Sequence, residues 1–140
     1  MPLVRIEVYQ ATLPAQRAQI ANEVYESMRE TIGIPEGDRF IVVTAHDPNE
    51  MFIDPKYMGM RRTERFALVQ ILLSKGRAVE QKQALYVRIV ERLRKAVGFA
   101  PDDVMIALTE NAITDWSFGK GEAQYVLSPP SWIKLPVVEN

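Results

Sequence analysis

The feature that most limits the fold of this 140-residue chain is an internal repeat at a spacing of 65 residues. Shifting the sequence by that distance gives ten identical pairs without a gap, including Gly33 with Gly98 and Asp38 with Asp103. Two unrelated strand–helix–strand patterns would share some pairs by chance, but a glycine and an aspartate in register favour duplication. We therefore predict a single domain, residues 1–140, made of repeat units 2–45 and 67–110 and a C-terminal tail, 111–140.

Each unit has the pattern of a strand, a helix and a second strand. Residues 3–9 alternate apolar and polar side chains, which is typical of a strand with one buried face. Residues 14–32 follow helical spacing, with Pro14 suited to the first turn and Gly33 to the end. Residues 40–45 form the next predicted strand. The second unit repeats this order, with predicted strands at 66–73 and 104–108 and a helix at 78–97.

Two such units predict an α+β fold, in which a four-stranded sheet carries two helices on one face. Little of the chain remains to cover the other face, so we expect copies of the chain to associate through it. The connector at 45–65 and the tail from Asn111 are too long to be simple links. We expect short strands or site-lining segments there.

Charge and composition exclude several classes of function. The chain has 17 basic and 18 acidic residues, a net charge of −1, which gives no electrostatic basis for binding nucleic acid or a membrane surface. It has no cysteine, so disulfides, thiol catalysis and zinc–thiolate sites are excluded. His46 is the single histidine and is interpreted as structural. With no signal peptide or membrane-spanning pattern, we predict a cytoplasmic protein that uses no metal and no cofactor.

The first candidate for chemistry is Pro2. Removal of Met1 would expose a secondary α-amine, which titrates well below lysine and can act as an acid or base near neutral pH. It can also attack a carbonyl. The alternative interpretation is that a Met-Pro start has no function. The repeat partner of Pro2 is Ala67, inside the chain, so we predict one such site per chain.

Further candidates lie at the ends of predicted strands. Lys75 and Arg77 follow the third strand and could hold a small carboxylate, or they could form a solvated turn. Asp38, before the second strand, could orient water or assist proton transfer, or it could be a turn residue. The aromatic segment 115–119 and Tyr125 could form a pocket wall or a subunit contact, or pack as an ordinary tail.

Together these features resemble the tautomerase superfamily, and within it the malonate semialdehyde decarboxylase-like group. The resemblance runs to about Val126, and its most specific parts are the N-terminal proline and the string DWSFG at 115–119. The other matching strings are GDR at 37–39, H-x-P-x-E-M at 46–51, EQK at 80–82 and PDDV at 101–104.

The resemblance implies a tautomerase-like fold, a homotrimer and a cofactor-independent enzyme that acts on a small oxo or unsaturated carboxylic acid. Keto–enol tautomerisation is the first expectation; malonate semialdehyde decarboxylase or hydratase activity is the alternative, and a non-catalytic binding or assembly protein the second alternative. One departure from the family is Lys75, which stands where the family has an arginine. Lysine cannot hold a carboxylate through two parallel hydrogen bonds as arginine does, and decarboxylation needs the leaving carboxylate held in a defined orientation. The implied residue roles are catalysis by Pro2 and Asp38, and substrate binding by Lys75, Arg77, Trp116, Phe118 and Tyr125.

Overall fold

The structure, a computed structural model, describes residues 1–131; positions 132–140 of the predicted tail lie outside the described residues. The strands are β1 (Pro2–Tyr9), β2 (Ile41–His46), β3 (Ala67–Ser74) and β4 (Val104–Asn111). The helices are α1 (Pro14–Ile32), α2 (Val79–Val97) and the short α3 (Gln124–Leu127). Single turns of 3₁₀ helix occur at Tyr57–Gly59, Pro101–Asp103 and Ile113–Asp115.

The two long helices begin and end in the same way. In each, the backbone N–H of the residue before the helix donates to a glutamine side chain three residues later, at 3.0 Å: Leu13 to Gln16, and Ala78 to Gln81. Each helix has 19 residues and ends at a predicted glycine, with φ of 65° in α1 and 70° in α2. Such left-handed angles strain residues with a Cβ atom, which explains the glycines.

The four strands form one sheet in the order β2-β1-β3-β4. β1 and β2 are parallel, β3 and β4 are parallel, and the central pair β1–β3 is antiparallel. The predicted four-stranded sheet with two helices is therefore confirmed. Because the central pair is antiparallel, Pro2 at the start of β1 lies opposite Leu73 near the end of β3. The chain thus brings its N-terminus beside the loop that follows β3.

One face of the sheet forms the core with both helices. The side chains of this core are apolar and almost completely buried, and burial of each contributes roughly 1.5–3 kcal/mol. They include Val4, Ile6 and Val8 of β1, Val69 and Ile71 of β3, Ile20, Val24 and Met28 of α1, and Leu85, Ile89 and Leu93 of α2.

The opposite face of the sheet remains open in the described chain. Val42 on β2 and Met105 on β4 are 46% and 43% exposed there. Apolar side chains on an open sheet face are typical of an interface between subunits. Beyond the ends of β2 and β4, the connector and the described part of the tail contain 3₁₀ turns, loops and α3 but no further strand, so the expected short strands are not found in them. Within residues 1–131, no helix has the length and apolarity needed to cross a membrane.

Candidate active site

The chain's amino terminus is buried against Asp38. Pro2 is buried at the start of β1, and the terminal amine of Met1 lies 3.6 Å from Oδ2 of Asp38. The Met1 and Asp38 side chains are only 6% and 12% exposed. Asp38 Oδ1 is also buried and accepts no hydrogen bond within residues 1–131. A buried carboxylate oxygen without a donor is costly for folding, and such atoms concentrate where a ligand or a proton is handled.

Asp38 is held at this place by the turn that precedes β2. The N–H of Asp38 donates to Pro35 O at 3.2 Å, and the N–H of Gly37 donates to the Tyr25 hydroxyl at 3.1 Å. The guanidinium of Arg39 lies 4.9 Å from the centre of the Tyr25 ring. Since β2 runs parallel to β1, its leading turn is placed beside the N-terminus of β1.

Of the two predicted cations after β3, the structure brings one to the terminus. Arg77 donates to Ser74 O at 2.8 Å, and its charge acts on both the terminal amine and Asp38. Lys75 has an exposed side chain, and its charge acts on Glu110. Arg77 is therefore placed to hold a group beside the amine, whereas Lys75 lies toward the rim.

Burial moves the pKa values of the amine and the carboxyl toward each other. It lowers the pKa of the Met1 amine, an effect that Asp38 opposes and the Arg77 charge reinforces. Burial raises the pKa of Asp38, against the opposing charges of the amine and Arg77. A weakened base and a weakened acid in contact are suited to proton transfer near neutral pH.

The predicted aromatic residues form a continuous group beside the site. Trp116 donates from Nε1 to Ser74 Oγ at 3.1 Å and stacks with Phe118 at a centroid distance of 5.9 Å. Phe118 contacts the Tyr125 ring edge-on at 4.8 Å. Burial raises the pKa of Tyr125, and the charges of Asp38 and Arg77 also act on it. These rings thus form a wall next to Arg77 and Asp38.

Two groups at the site were not predicted from the sequence. Glu110, at the end of β4, is paired with Lys82 of α2 at 2.6 Å, and the buried Ser74 accepts from Trp116. A signal for Glu110 was present in the sequence, since β4 alternates apolar side chains toward the core and Glu110 occupies the next position on that face.

His46 lies at the far end of the sheet from the terminus. Its Nε2 makes a hydrogen-bond contact with Oε2 of Glu7, and its side chain lies beside the end of β1. Across residues 1–131, no three His, Asp or Glu side chains come together in a way that could hold a metal ion.

Comparison with known proteins assigns the chain to a family. A sequence profile described as "Tautomerase enzyme" matches residues 38–119, more than half of the chain, and a second profile of the same description matches residues 2–61. The chain therefore belongs to the tautomerase superfamily, in its malonate semialdehyde decarboxylase-like group, as the resemblance predicted.

Relatives and solved structures agree with this assignment. "Probable tautomerase YusQ" of Bacillus subtilis (strain 168) is 35% identical over 126 residues, 90% of this chain and 99% of that protein. A crystal structure of FG41 malonate semialdehyde decarboxylase inhibited by 3-bromopropiolate is 38% identical, with a TM-score of 0.86, over 92% of this chain and 98% of that one. A fused 4-OT wild-type symmetric trimer shares the fold at 20% identity, with a TM-score of 0.74, over 90% of this chain and 98% of that one.

Proposed function

We propose that this chain, once Met1 is removed, uses the secondary amine of Pro2 for acid–base chemistry on a small oxo or unsaturated carboxylic acid, with keto–enol tautomerisation as its main reaction. The observation that carries this proposal is the burial of the N-terminal residues Met1 and Pro2 beside Asp38 and Arg77, where the Met1 amine of the full chain lies 3.6 Å from Asp38 Oδ2. In the full chain burial lowers the pKa of the Met1 amine and raises the pKa of Asp38. An amine freed on Pro2 would lie in the same buried surroundings, where it and Asp38 could exchange a proton.

Removal of Met1 has two consequences in this proposal. It turns the Pro2 nitrogen into a basic secondary amine, whereas in the full chain that nitrogen is part of a peptide bond. It also vacates the space of the Met1 side chain, which is 6% exposed beside Asp38. The same cleavage would therefore supply both the base and room for a small substrate.

The surroundings favour an acid with an apolar portion. Arg77 offers a planar cation suited to a carboxylate, and the rings of Trp116, Phe118 and Tyr125 offer an apolar wall. A 2-oxo acid held by its carboxylate at Arg77 would present C3, the carbon next to the ketone, to the amine. The amine would remove a proton from C3 while Asp38 in its protonated form donates one to the ketone oxygen, which gives the enol; the reverse transfers give the keto form.

A substitution at the terminus tests the proposal. Intact mass should first show the loss of one methionine. Wild-type protein and Pro2→Ala are then assayed with phenylpyruvate enol, malonate semialdehyde and propiolate-type acids. We expect Pro2→Ala to lower kcat/KM for the tautomerisation roughly 10²–10⁴-fold. Turnover that Pro2→Ala leaves unchanged would overturn the role of Pro2. If no substrate is turned over at all, the enzyme proposal is wrong and the chain is a non-catalytic binding or assembly member of its superfamily.

Decarboxylation or hydration is the second candidate, supported by the similarity to malonate semialdehyde decarboxylase. A further relative, solved in wild-type, mutant and inactivated forms to explain "the decarboxylase and hydratase activities", is 30% identical with a TM-score of 0.84 over 89% of this chain and 96% of that one. Asp38 could activate water for hydration. If Lys75 limits the grip on a leaving carboxylate, Lys75→Arg should raise decarboxylase activity; an unchanged rate would show that this grip is not limiting.

We further propose that the working form is a homotrimer, assembled through the open sheet face of Val42 and Met105. The trimeric fused 4-OT neighbour supports assembly of this kind. Light scattering coupled to size exclusion should give three times the chain mass, and Val42→Glu should shift the protein toward monomer. A monomeric wild-type protein would contradict the proposal.

A further inference from the structure

Glu110 places a negative charge at the candidate carboxylate-binding loop, residues 75–77. β4 turns Val104, Ile106 and Leu108 toward the core, and Glu110 is the next residue on that face. In the sheet Leu73 of β3 pairs with Glu110 of β4 on one side and with Pro2 of β1 on the other. Glu110 and the proposed base therefore lie in the same row of paired residues across the sheet.

The loop and Glu110 are in close contact. The N–H of Lys75 donates to the carbonyl of Asn111 at 2.9 Å, which fixes the loop to the end of β4. The charges of both Lys75 and Arg77 interact with Glu110. A carboxylate already attached to the protein has a high effective concentration, so it competes with the carboxylate of any substrate for these two cations.

Lys82 gives Glu110 a different partner. Its Nζ lies 2.6 Å from Oε1 of Glu110, and the two side chains are 25% and 29% exposed. This hydrogen bond is the main cause that lowers the pKa of Glu110, assisted by the backbone of Gly76 and the charge of Lys75. Lys82 lies in the first turn of α2, where the helix dipole disfavours a cation, and pairing with Glu110 offsets that cost.

The first repeat unit has a cation at the position equivalent to Lys82 but no carboxylate at the position equivalent to Glu110. The position 65 residues before Lys82 is Arg17, and the position before Glu110 is Ala45. Arg17 donates instead to carbonyl oxygens of its own strand–helix loop, Thr12 O at 2.7 Å and Gln10 O at 3.2 Å. The carboxylate and its pairing therefore occur only in the unit whose loop lies at the candidate active site.

We propose that Lys82 holds Glu110 so that the Glu110 carboxylate does not compete with the substrate carboxylate for Lys75 and Arg77. This inference rests on the proposed carboxylate-binding role of that loop. It makes Lys82 a positioning residue that acts through Glu110, and it predicts that loss of Lys82 harms binding while loss of both charges does not.

The test uses Lys82→Met, Glu110→Gln and the double variant, with Arg17→Met as the matched control in the first unit. Propionate is the probe, since it carries a carboxylate and no reactive carbonyl, and its binding is followed by NMR titration at constant ionic strength. KM and kcat are measured in parallel with the best substrate found for the wild type.

Lys82→Met should weaken propionate binding and raise KM roughly tenfold, with kcat changed by about twofold or less. The double variant should return to within about threefold of wild type, because the competing charge is gone. A purely structural pair would give no such rescue. Arg17→Met should leave propionate binding and KM unchanged.

The inference is overturned if Lys82→Met binds propionate as the wild type does. It is also overturned if adding Glu110→Gln to Lys82→Met fails to restore binding. Its failure is distinguishable from failure of the proposed function. If propionate binding follows this pattern but no substrate is turned over, the role of Lys82 is upheld and the proposed enzymatic activity is wrong. If the wild type binds no propionate at all, the carboxylate-binding loop and the role of Lys82 are both wrong.

Discussion

Asp38 and Asp103 occupy equivalent places in the two repeat units, 65 residues apart, and the structure uses them differently. Asp103 is 2% exposed and accepts two hydrogen bonds from Thr63, at 2.7 Å from the backbone N–H and 2.7 Å from the hydroxyl. Asp38 Oδ1 is buried and accepts none within the described residues, while its Oδ2 faces the chain's amine at 3.6 Å.

The difference follows from what precedes each first strand. The residue before β1 is Met1, and its amine lies beside the carboxylate of the first unit. Before β3 there is the connector, whose Arg61 and Thr63 donate backbone N–H groups to Asp102 and Asp103. A carboxylate that accepts hydrogen bonds, as Asp103 does, stabilises the fold. A buried carboxylate without such donors beside an amine costs stability but can take up and release a proton.

The largest expected effect is that of Asp38→Asn on activity. We expect kcat/KM for the proposed tautomerisation to fall roughly 10²–10³-fold, because the group that exchanges a proton with the substrate is lost. Stability should rise. Burial raises the pKa of Asp38, so its ionised form opposes folding; this cost is absent below the unfolded pKa and complete above the folded pKa.

Denaturant unfolding at several pH values, together with a tautomerase assay, measures both quantities. The gain in stability of Asp38→Asn over wild type should grow as pH rises through the Asp38 titration. Asp103→Asn serves as the matched control and should leave kcat/KM of the folded protein unchanged. Equal losses of activity in Asp38→Asn and Asp103→Asn would show that the two aspartates do not differ in function.

The next effect concerns stability in the second unit. Asp103→Ala removes the acceptor of both Thr63 hydrogen bonds and should lower the free energy of unfolding by about 2 kcal/mol. It should also loosen the connector, which the neighbouring Asp102 holds through Arg61. Urea denaturation measures the loss, and Thr63→Val should reproduce part of it. An unchanged midpoint would show that these contacts contribute nothing to folding.

A smaller effect is expected on the pKa of the terminal amine, with opposite directions in two variants. In protein that retains Met1, burial is the main cause that lowers the pKa of the Met1 amine; Asp38 raises this pKa, and the charge of Arg77 lowers it further. The amine titration should therefore move to lower pH in Asp38→Asn and to higher pH in Arg77→Met. ¹⁵N NMR of the terminal residue follows this titration directly. Shifts in the same direction would show that the two charges do not act on the amine as the geometry requires.

Much of the fold could be predicted from the sequence because strand and helix periodicity are local patterns and the 65-residue repeat shows the same order of elements twice. The predicted helix at 14–32 has the same bounds in the structure, and the helix-ending glycines lie where expected. The connector was harder, since its conformation is set by distant acceptors such as Asp102 rather than by its own pattern.

For the site, residue types suggested candidates but not their partners. The parallel pairing of β1 with β2 brings Asp38 to Pro2, and the antiparallel pairing of β1 with β3 brings Arg77 there. The sequence alone does not specify the antiparallel pairing. The interaction of Lys75 and Arg77 with Glu110 joins the loop after β3 to the end of β4, and the sequence pattern does not specify this contact. Their roles in binding stay predictions.

The smallest effect tests how tightly the Asp38 turn must be held. Tyr25 has no counterpart hydroxyl in the second unit, where Val90 occupies its place. Tyr25→Phe keeps the ring against Arg39 but removes the acceptor of the Gly37 N–H, at 3.1 Å. We expect a loss of about 1 kcal/mol in unfolding free energy and a roughly twofold to fivefold loss in kcat/KM, because Asp38 is less well positioned.

Tyr9→Phe is the matched control for this change. It also removes one tyrosine hydrogen bond, from the hydroxyl to Met51 O at 3.0 Å, and it lies at the far end of β1 from the terminus. It should cost similar stability and leave kcat/KM unchanged. If both variants lose activity equally, the effect of Tyr25 is general destabilisation. If only Tyr25→Phe loses activity, the first unit depends on the position of its aspartate in a way that the second does not.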